Sequence, residues 1–265
     1  MNPTMTCSIL ALAIGLAAAP LLAADGVLIV EQTTTGGATR TNQIQIEKTR
    51  MRAESTDPSG AQRIIVFDGT AQVIRMIDPA KKTYTELTKA EVDRLGSQMN
   101  DMMAKMQEQM KGMPPGMREK MEAMMRGRGM PGAAAAAKTE YRKTGTGKVA
   151  KWTCDQYDGL VNNQKTSEVC TVDPKALGFT AADFEVTKQL AEFFRQLMPQ
   201  NAEQMFSIGA NDPQGFSGVP VRRVYSIGPN QTVSELSEVS RQTFADSLFA
   251  VPTGYQKQTF SMPGQ

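Results

Sequence analysis

The residues with the clearest chemical potential are the methionines between positions 99 and 132. This stretch holds 11 of the 18 methionines of the chain and no aromatic residue. Thioethers are soft ligands that select copper(I), so methionines spaced by three and four on one helix face can bring several sulfurs together. The same stripe is typical of a helix packed on a core, or of a deformable lid over varied hydrophobic ligands. The candidate copper ligands are Met103, Met106, Met110, Met117 and Met121.

The N-terminus predicts export. Residues 1–24 carry no charged side chain, and the apolar run "ILALAIGLAAAPLLAA" ends in small residues just before Asp25. This pattern is typical of a secretory signal peptide, with cleavage expected after Ala23 or Ala24. Cys7 precedes the apolar run, where a lipidation cysteine would not lie. We therefore expect a periplasmic mature protein, soluble and without a lipid anchor.

Export leaves two cysteines, Cys154 and Cys170, in an oxidising compartment. Two strand-like segments flank the polar turn "GLVNNQ" between them, so the pair can face each other across a hairpin. A disulfide is the prediction, and two buried free thiols are the alternative. Closing a loop of this size stabilises the fold by about 3 kcal/mol in the chain-entropy model.

The composition excludes several classes of activity. The chain contains no histidine, which removes Ser-His-Asp and Cys-His catalysis and imidazole-based metal sites. The net charge is +2, and no basic block with interleaved aromatics suggests a nucleic-acid partner. The sequence "TGTGK" at 144–148 lacks the spacing of a phosphate-binding loop and is predicted to be a hairpin turn. We expect a protein that is not an enzyme and has no cofactor.

The periodicity predicts an α+β fold. Val/Ile/Thr-rich runs with short Gly- and Asp-containing turns fill residues 25–87 and predict an antiparallel meander. The capping box "TKAE" begins a helix at Thr88, and "PPG" at 114–116 ends it. Strands resume near position 138, a second capping box "TAAD" begins a helix at Thr180, and strands complete the chain. Strands, helices and strands without βαβ alternation favour a curved antiparallel sheet with helices on one side.

This order of elements, with "GVLIVEQ", "FDG", "KKTYTEL" and "VPTGYQK", resembles the periplasmic lipoprotein-carrier-like superfamily. Within it, the Met-rich insert with "KWTCDQY" and "VPTGYQ" resembles an exported bacterial domain family of unknown function. The resemblance implies a half-barrel of antiparallel strands whose concave side is covered by helices. It implies a single carrier-like domain over residues 25–265. The carriers lack a methionine hairpin, but the spacing of the methionines predicts one here, helical and inserted at 88–130, and "GRGMPGAAAAAK" predicts a flexible linker at 127–138.

The resemblance also implies a lipid, an acyl chain or another hydrophobic ligand, held in a cavity between sheet and helices. A transient contact with the envelope membrane or with lipoproteins is a further expectation. The alternative is a Met-rich copper(I)-binding or envelope protein-interaction module. Alternation and apolarity give the candidate cavity residues, each of which can equally be plain core: Ile44, Ile46, Ile65, Phe67, Val73, Ile77, Tyr84, Met99, Met103, Met106, Met110, Phe193 and Leu197.

Overall fold

A computed structural model describes residues 25–56, 59–112, 114, 116–117, 139–195, 197, 215–227 and 230–260. Its twelve described strands form one open sheet in the order β12-β6-β5-β4-β3-β2-β1-β11-β10-β9-β8-β7. Within the described residues the sheet dominates and helices are few, which fits an α+β fold. The predicted signal peptide at 1–24 and the predicted linker at 127–138 lie outside the described residues.

The first block of strands is an antiparallel meander. Each strand pairs with the next along the chain, as the short connections predict. These strands are β1 (Gly26–Thr35), β2 (Ala38–Ile46), β3 (Arg50–Thr56), β4 (Gln62–Asp68), β5 (Val73–Asp78) and β6 (Thr83–Thr88).

The second block contains β7 (Glu140–Val149), β8 (Trp152–Val161), β9 (Gln164–Val172), β10 (Val219–Ile227) and β11 (Asn230–Gln242). The β8–β9 hairpin turns at Asn162 and Asn163, both with positive φ, as a primed two-residue turn requires. Strand β11 pairs with β1 and so joins the two blocks into one sheet.

The predicted turn at 144–148 is wrong, because these residues lie inside β7. Gly147 lies beneath Gln156 of β8: a Cβ at this glycine would lie 2.6 Å from Gln156 Nε2. The glycine permits this close cross-strand packing, which explains the composition that suggested a turn. The chain actually turns at Ala150, whose φ is 48°.

Helix α1 (Lys89–Lys111) begins at the predicted capping box and ends before Pro114. The backbone N–H and the hydroxyl of Thr88 both donate to Glu91 Oε2 at 2.8 Å. Val92 and Leu95 in the first two turns are buried in the core. The second helix of the predicted hairpin lies largely outside the described residues and stays a prediction.

Helix α2 (Glu185–Phe194) follows a short 3-10 helix, Ala181–Phe184, whose capping box joins Thr180 and Asp183 as predicted. The Thr180 backbone N–H and hydroxyl donate to Asp183 Oδ2 at 2.6 and 2.9 Å. Arg241 of β11 donates to both carboxylate oxygens of Asp183, at 2.8 and 2.5 Å. The cap that begins the 3-10 helix therefore also ties this helix, and α2 after it, to the sheet.

Helix α2 packs on one face of the sheet, here named the helix-bearing face and defined by Val27, Ile29, Ile46, Phe67 and Leu87. The main hydrophobic core lies between them and includes four α2-side residues, Phe184, Val186, Leu190 and Phe193. The Phe67 and Phe193 rings meet edge to face at 5.6 Å.

The motif "FDG" in the resemblance has a structural reason at this contact. Asp68 Oδ1 accepts hydrogen bonds from the backbone of Thr70 and Ala71, which fixes the turn after β4. A Cβ at Gly69 would overlap with Oε1 of Gln189, so the missing side chain lets α2 approach. The motif therefore shapes the surface on which α2 packs.

The C-terminal segment covers the opposite face of β3–β6. A smaller cluster joins Ile64, Val66 and Ile77 to Phe249 of a 3-10 helix, Asp246–Phe249. Strand β12 (Gln256–Gln258) then pairs in parallel with β6, which corrects the expectation of a purely antiparallel sheet. The pair is parallel because the C-terminal segment crosses this face of the sheet before it reaches β6.

Candidate functional site

The structure separates the predicted cavity residues into groups. Ile46, Phe67 and Phe193 are at most 5% exposed and pack together in the main core, against which the half-buried Ile44 and Leu197 also pack. Ile77 and Tyr84 belong to the smaller cluster on the opposite face. The predicted cavity residues therefore lie on both faces of the sheet and do not line one common surface.

Val73 and Ile65 show why alternation alone misplaced the set. Val73 is buried. Because alternate residues of a strand share a face, its side chain lies on the same face of β5 as those of Arg75 and Ile77. Ile65 shares the helix-bearing face with Phe67 but is 44% exposed. Each face of β4–β6 is covered in part, so apolar residues occur at both alternating positions and the sequence pattern cannot tell one face from the other.

An apolar row remains open on the helix-bearing face. The strand register places Ile44 of β2 opposite Ala53 of β3, Ala53 opposite Ile65 of β4, and Ile65 opposite Met76 of β5. None of these four side chains is fully buried. The row runs beside the buried row that contains Ile46, two residues away along each strand. It spans on the order of 15 Å across the strands.

A polar groove lies beside this row, on strands β1, β2, β11, β10 and β9. Its volume is about 740 Å³, within the range of about 300–1,000 Å³ usual for small-molecule sites. The register places Asn42 opposite Glu31, two residues along the strands from the pair of Ile44 and Ile29 and on the same face. Residues lining the groove include Glu31, Thr33, Asn42, Tyr141, Phe216, Arg223, Tyr225 and Ser234.

Hydrogen bonds connect the floor of the groove. Asn42 Nδ2 donates to Thr33 Oγ1 at 3.2 Å, and the Thr33 and Ser234 hydroxyls lie 3.4 Å apart. The Ser234 hydroxyl in turn hydrogen-bonds Glu31 Oε1. Ser234 is buried, so this chain of contacts fixes the floor side chains in one arrangement.

Aromatic rings form one wall of the groove. Tyr141 of β7 meets Phe216 edge to face, with ring centroids 4.9 Å apart. Gly159 of β8 lies against Tyr141: a Cβ there would lie 2.8 Å from its Cε1. The glycine therefore makes room for the tyrosine ring on the sheet face.

The charges of β9 and β10 are divided between the two faces of the sheet. On the face opposite Arg223, Glu168 makes ion pairs with Lys165 at 2.8 Å and Arg222 at 3.4 Å. The hydrogen bond from Lys165 holds the pKa of the Glu168 carboxyl below its ordinary value, against the opposing effect of burial. Arg223 is the one cationic side chain among the described lining residues, and Glu31 provides a negative charge on the same face.

None of the α1 methionines whose side chains the structure describes is fully buried. Met99 and Met106 are half-buried, whereas Met102 is 64% exposed and Met117, beyond the helix, is 58% exposed. The side chains of Met103 and Met110, and the whole of Met121, lie outside the described part of the chain. The copper hypothesis therefore stays a prediction.

The predicted disulfide is confirmed. Cys154 of β8 and Cys170 of β9 are bonded, with a Cα–Cα distance of 5.5 Å, and both belong to the main core. The bond lies among Val149, Trp152 and Val172, close to where the chain leaves β9 toward α2. Its position indicates a structural role rather than a redox role. No helix within the described residues is long and apolar enough to cross a membrane.

No protein-family model and no curated protein sequence matches the chain. Among solved structures, it is similar to an uncharacterized conserved protein from Thermus thermophilus, with a TM-score of 0.44 and 8% identity over 89% of this chain and 91% of that one. The MucA/MucB complex of Pseudomonas aeruginosa gives a TM-score of 0.38 and 12% identity over 87% of this chain and 57% of that one. PNGF-II gives 0.35 and 11% over 89% and 31%. These low scores and identities carry no conclusion about function.

Proposed function

We propose that the protein is an exported, non-enzymatic binding protein of the bacterial periplasm. Its sheet is a carrier-like half-barrel that holds a lipid, an acyl chain or another hydrophobic ligand on the helix-bearing face. The single observation that supports this proposal is the apolar row, in which Ile65 is 44% exposed between Ala53 and Met76. A large aliphatic side chain left open to water beside a closed core is typical of a surface that a ligand covers.

The dimensions of the row fit an extended chain. Four strands contribute one apolar side chain each, and neighbouring strands lie about 4.8 Å apart. An alkyl chain laid across the strands contacts Ile44, Ala53, Ile65 and Met76 in turn. Burying this row removes aliphatic surface from water at about 25 cal/mol per Å², and that burial is the source of affinity.

The absence of histidine from the chain and the pairing of Glu168 and Asp183 with cations support a role without catalysis. A catalytic carboxylate usually has a pKa raised toward the working pH. The pKa of each of these two carboxyls lies below its ordinary value. Their ionised state stabilises the fold instead.

The test is ligand binding with a matched pair of variants. Native mass spectrometry of the protein purified from the envelope is expected to show a co-purifying lipid. Ile65→Ser is expected to weaken binding of a fluorescent acyl probe about tenfold, a loss of about 1.4 kcal/mol. Leu160→Ser, a half-buried aliphatic position on β8, far from β4 in the sheet, is the control and should leave probe affinity unchanged. A clean apo mass together with equal affinity of both variants would refute the proposal.

A second candidate function is favoured by the exposure of Met102 and Met117, which places apolar thioethers on the surface of the Met-rich segment. Such side chains adapt to partners of different shapes. In this version the segment makes a transient contact with the envelope membrane or with lipoproteins. Met102→Ser should then reduce co-flotation with phospholipid vesicles and leave acyl-probe binding intact. Unchanged co-flotation would contradict this second candidate.

A further inference from the structure

The polar groove is distinct in chemistry from the apolar row that the proposed function uses. We propose that it binds a neutral carbohydrate, namely one or a few linked sugar units presenting neighbouring hydroxyl groups. The inference goes beyond the proposed function, because it concerns different side chains and a ligand of different polarity.

The first argument is the hydrogen-bonding inventory of the floor. Asn42 uses one of its amide donors on Thr33 within the described residues, which leaves its carbonyl oxygen and second N–H for a ligand. Planar groups such as the Asn42 amide and the Glu31 carboxylate can each contact two neighbouring hydroxyls. The hydroxyl hydrogens of Ser234 and Thr33 are used within the floor, on Glu31 and Ser234, and the Thr33 oxygen retains one lone pair that can accept from a ligand hydroxyl. This combination matches a ligand whose hydroxyls also do both.

The second argument is preorganisation. The contacts from Asn42 to Thr33, from Thr33 to Ser234 and from Ser234 to Glu31 hold the floor in place before a ligand arrives. Ser234 is buried, and it is held on the central strand β11 between β1 and β10. A fixed floor lowers the entropy cost of binding a small polar ligand.

The third argument is the aromatic wall. Tyr141 and Phe216 pack edge to face, and Tyr225 is 37% exposed on the same face of the sheet. Sugar rings carry C–H groups that pack on aromatic faces, while their hydroxyls reach polar groups at the rim. A tyrosine ring also provides a hydroxyl that can donate or accept.

Charge and topology disfavour the other occupants. An anionic phosphate needs several cations, whereas Glu31 opposes Arg223 in the described lining. A peptide that adds a strand needs a sheet edge, and the floor residues of the groove lie on β1, β2 and β11, which are paired on both sides. An acyl chain would leave Asn42, Thr33 and Glu31 covered without compensating hydrogen bonds.

The experiment titrates the full chain with neutral oligosaccharides of two to six units, followed by isothermal calorimetry and by NMR shifts. We expect a dissociation constant of about 1 mM or tighter for at least one of them. Tyr225→Ala and Asn42→Ala should each weaken binding about tenfold, without loss of thermal stability, because both side chains lie at the surface of the groove. Ser226→Ala is the matched control, one position along β10 and exposed on the other face.

Three results would overturn the inference. These are the absence of saturable binding by any oligosaccharide at about 10 mM, equal affinity of Tyr225→Ala and Ser226→Ala, and displacement of the NMR response by inorganic phosphate. The readout is independent of the acyl probe. Ile65→Ser should leave oligosaccharide affinity unchanged, so failure of the hydrophobic-ligand proposal and failure of this inference can be told apart.

Discussion

A capping box begins α1, and another begins the 3-10 helix that leads into α2, yet the two helices are fixed to the sheet in different ways. Helix α2 buries Val186, Leu190 and Phe193 along its length. The longer α1 buries Val92 and Leu95 in its first two turns, whereas Met102 is 64% exposed. A helical stripe of apolar residues therefore predicts a helix, but the tertiary contacts decide how much of that stripe is covered.

The largest expected effect lies at the centre of the α2 contact. Phe193→Ala removes a ring that is 1% exposed and packs on Phe67. We expect a loss of about 3–5 kcal/mol in the free energy of unfolding, because the rigid sheet below cannot fill the cavity. Urea denaturation measures the loss. A cost below about 1 kcal/mol would show that α2 is not anchored there.

The corresponding truncation on α1 is Val92→Ala. This side chain is fully buried, but it is smaller than Phe193 and belongs to one end of the helix. We expect a loss of about 2 kcal/mol from the removed methyl groups and the space they leave. If Val92→Ala cost as much as Phe193→Ala in the same urea titration, the two helices would be equally important to the core.

The Asp183–Arg241 pair should make the anchoring of α2 depend on pH. Burial raises the pKa of Asp183, but hydrogen bonds from Arg241 and Thr180 outweigh it, so the pKa lies below its ordinary value. A carboxyl with a lower pKa in the folded state stabilises the protein above its unfolded pKa and loses that effect as the pH falls through the folded value. Asp183→Asn should cost about 2 kcal/mol at neutral pH, less than for a fully buried pair because Arg241 is partly exposed.

This difference should shrink as the pH falls below about 4, the ordinary pKa of an aspartic acid, because the carboxyl of the unfolded chain is protonated first and that of the folded protein follows at lower pH. Urea denaturation of wild type and variant between about pH 2 and pH 7 measures it. Asp101→Asn, an exposed carboxylate on α1, is the control and should change the free energy of unfolding by less than about 0.5 kcal/mol at neutral pH. A difference independent of pH would contradict the assigned role of Asp183.

A smaller effect is expected at the cap of α1. Thr88→Ala removes the hydroxyl that donates to Glu91 at 2.8 Å. The expected cost is about 1 kcal/mol, as for other N-cap substitutions. Thermal unfolding measures the change in global stability. No measurable cost would mean that the contact of Val92 and Leu95 with the core fixes the start of α1 without help from the cap.

The smallest expected effect is at Met102, where α1 has left the core. Met102→Ser removes an exposed side chain, so the free energy of unfolding should change by less than about 0.5 kcal/mol. Thermal unfolding of the full chain tests this. A loss above about 1 kcal/mol would show that this part of α1 is packed, and the contrast with α2 would then fail.

Local features of the fold followed from the sequence because their partners are close along the chain. The capping boxes at Thr88 and Thr180 each join residues three positions apart. The turn at Asn162 and Asn163 requires positive φ, which asparagine tolerates better than most residues. That turn places Cys154 and Cys170 within bonding distance. Each of these features depends on one short segment.

The candidate site was less predictable, because its residues come from strands that meet only in the folded sheet. Glu31 and Ser234 are separated by 203 positions, yet they touch because β11 pairs with β1. Asn42 and Tyr141 carried no signal that would place them on one groove. Ile44 and Ile65 of the apolar row were among the predicted cavity residues, whereas Ala53 and Met76, which complete the row, were not.

The sequence by itself determined the strand-helix-strand order, the two helix starts, the hairpin and the disulfide, because contacts of short range fix them. Only the tertiary structure decided which face of β4 meets which partner. Phe67 packs under α2, whereas Ile64 and Val66 pack under Phe249, which lies more than 180 positions along the chain from either. Alternation assigns neighbouring residues to opposite faces, but the element that covers each face comes from a distant part of the chain.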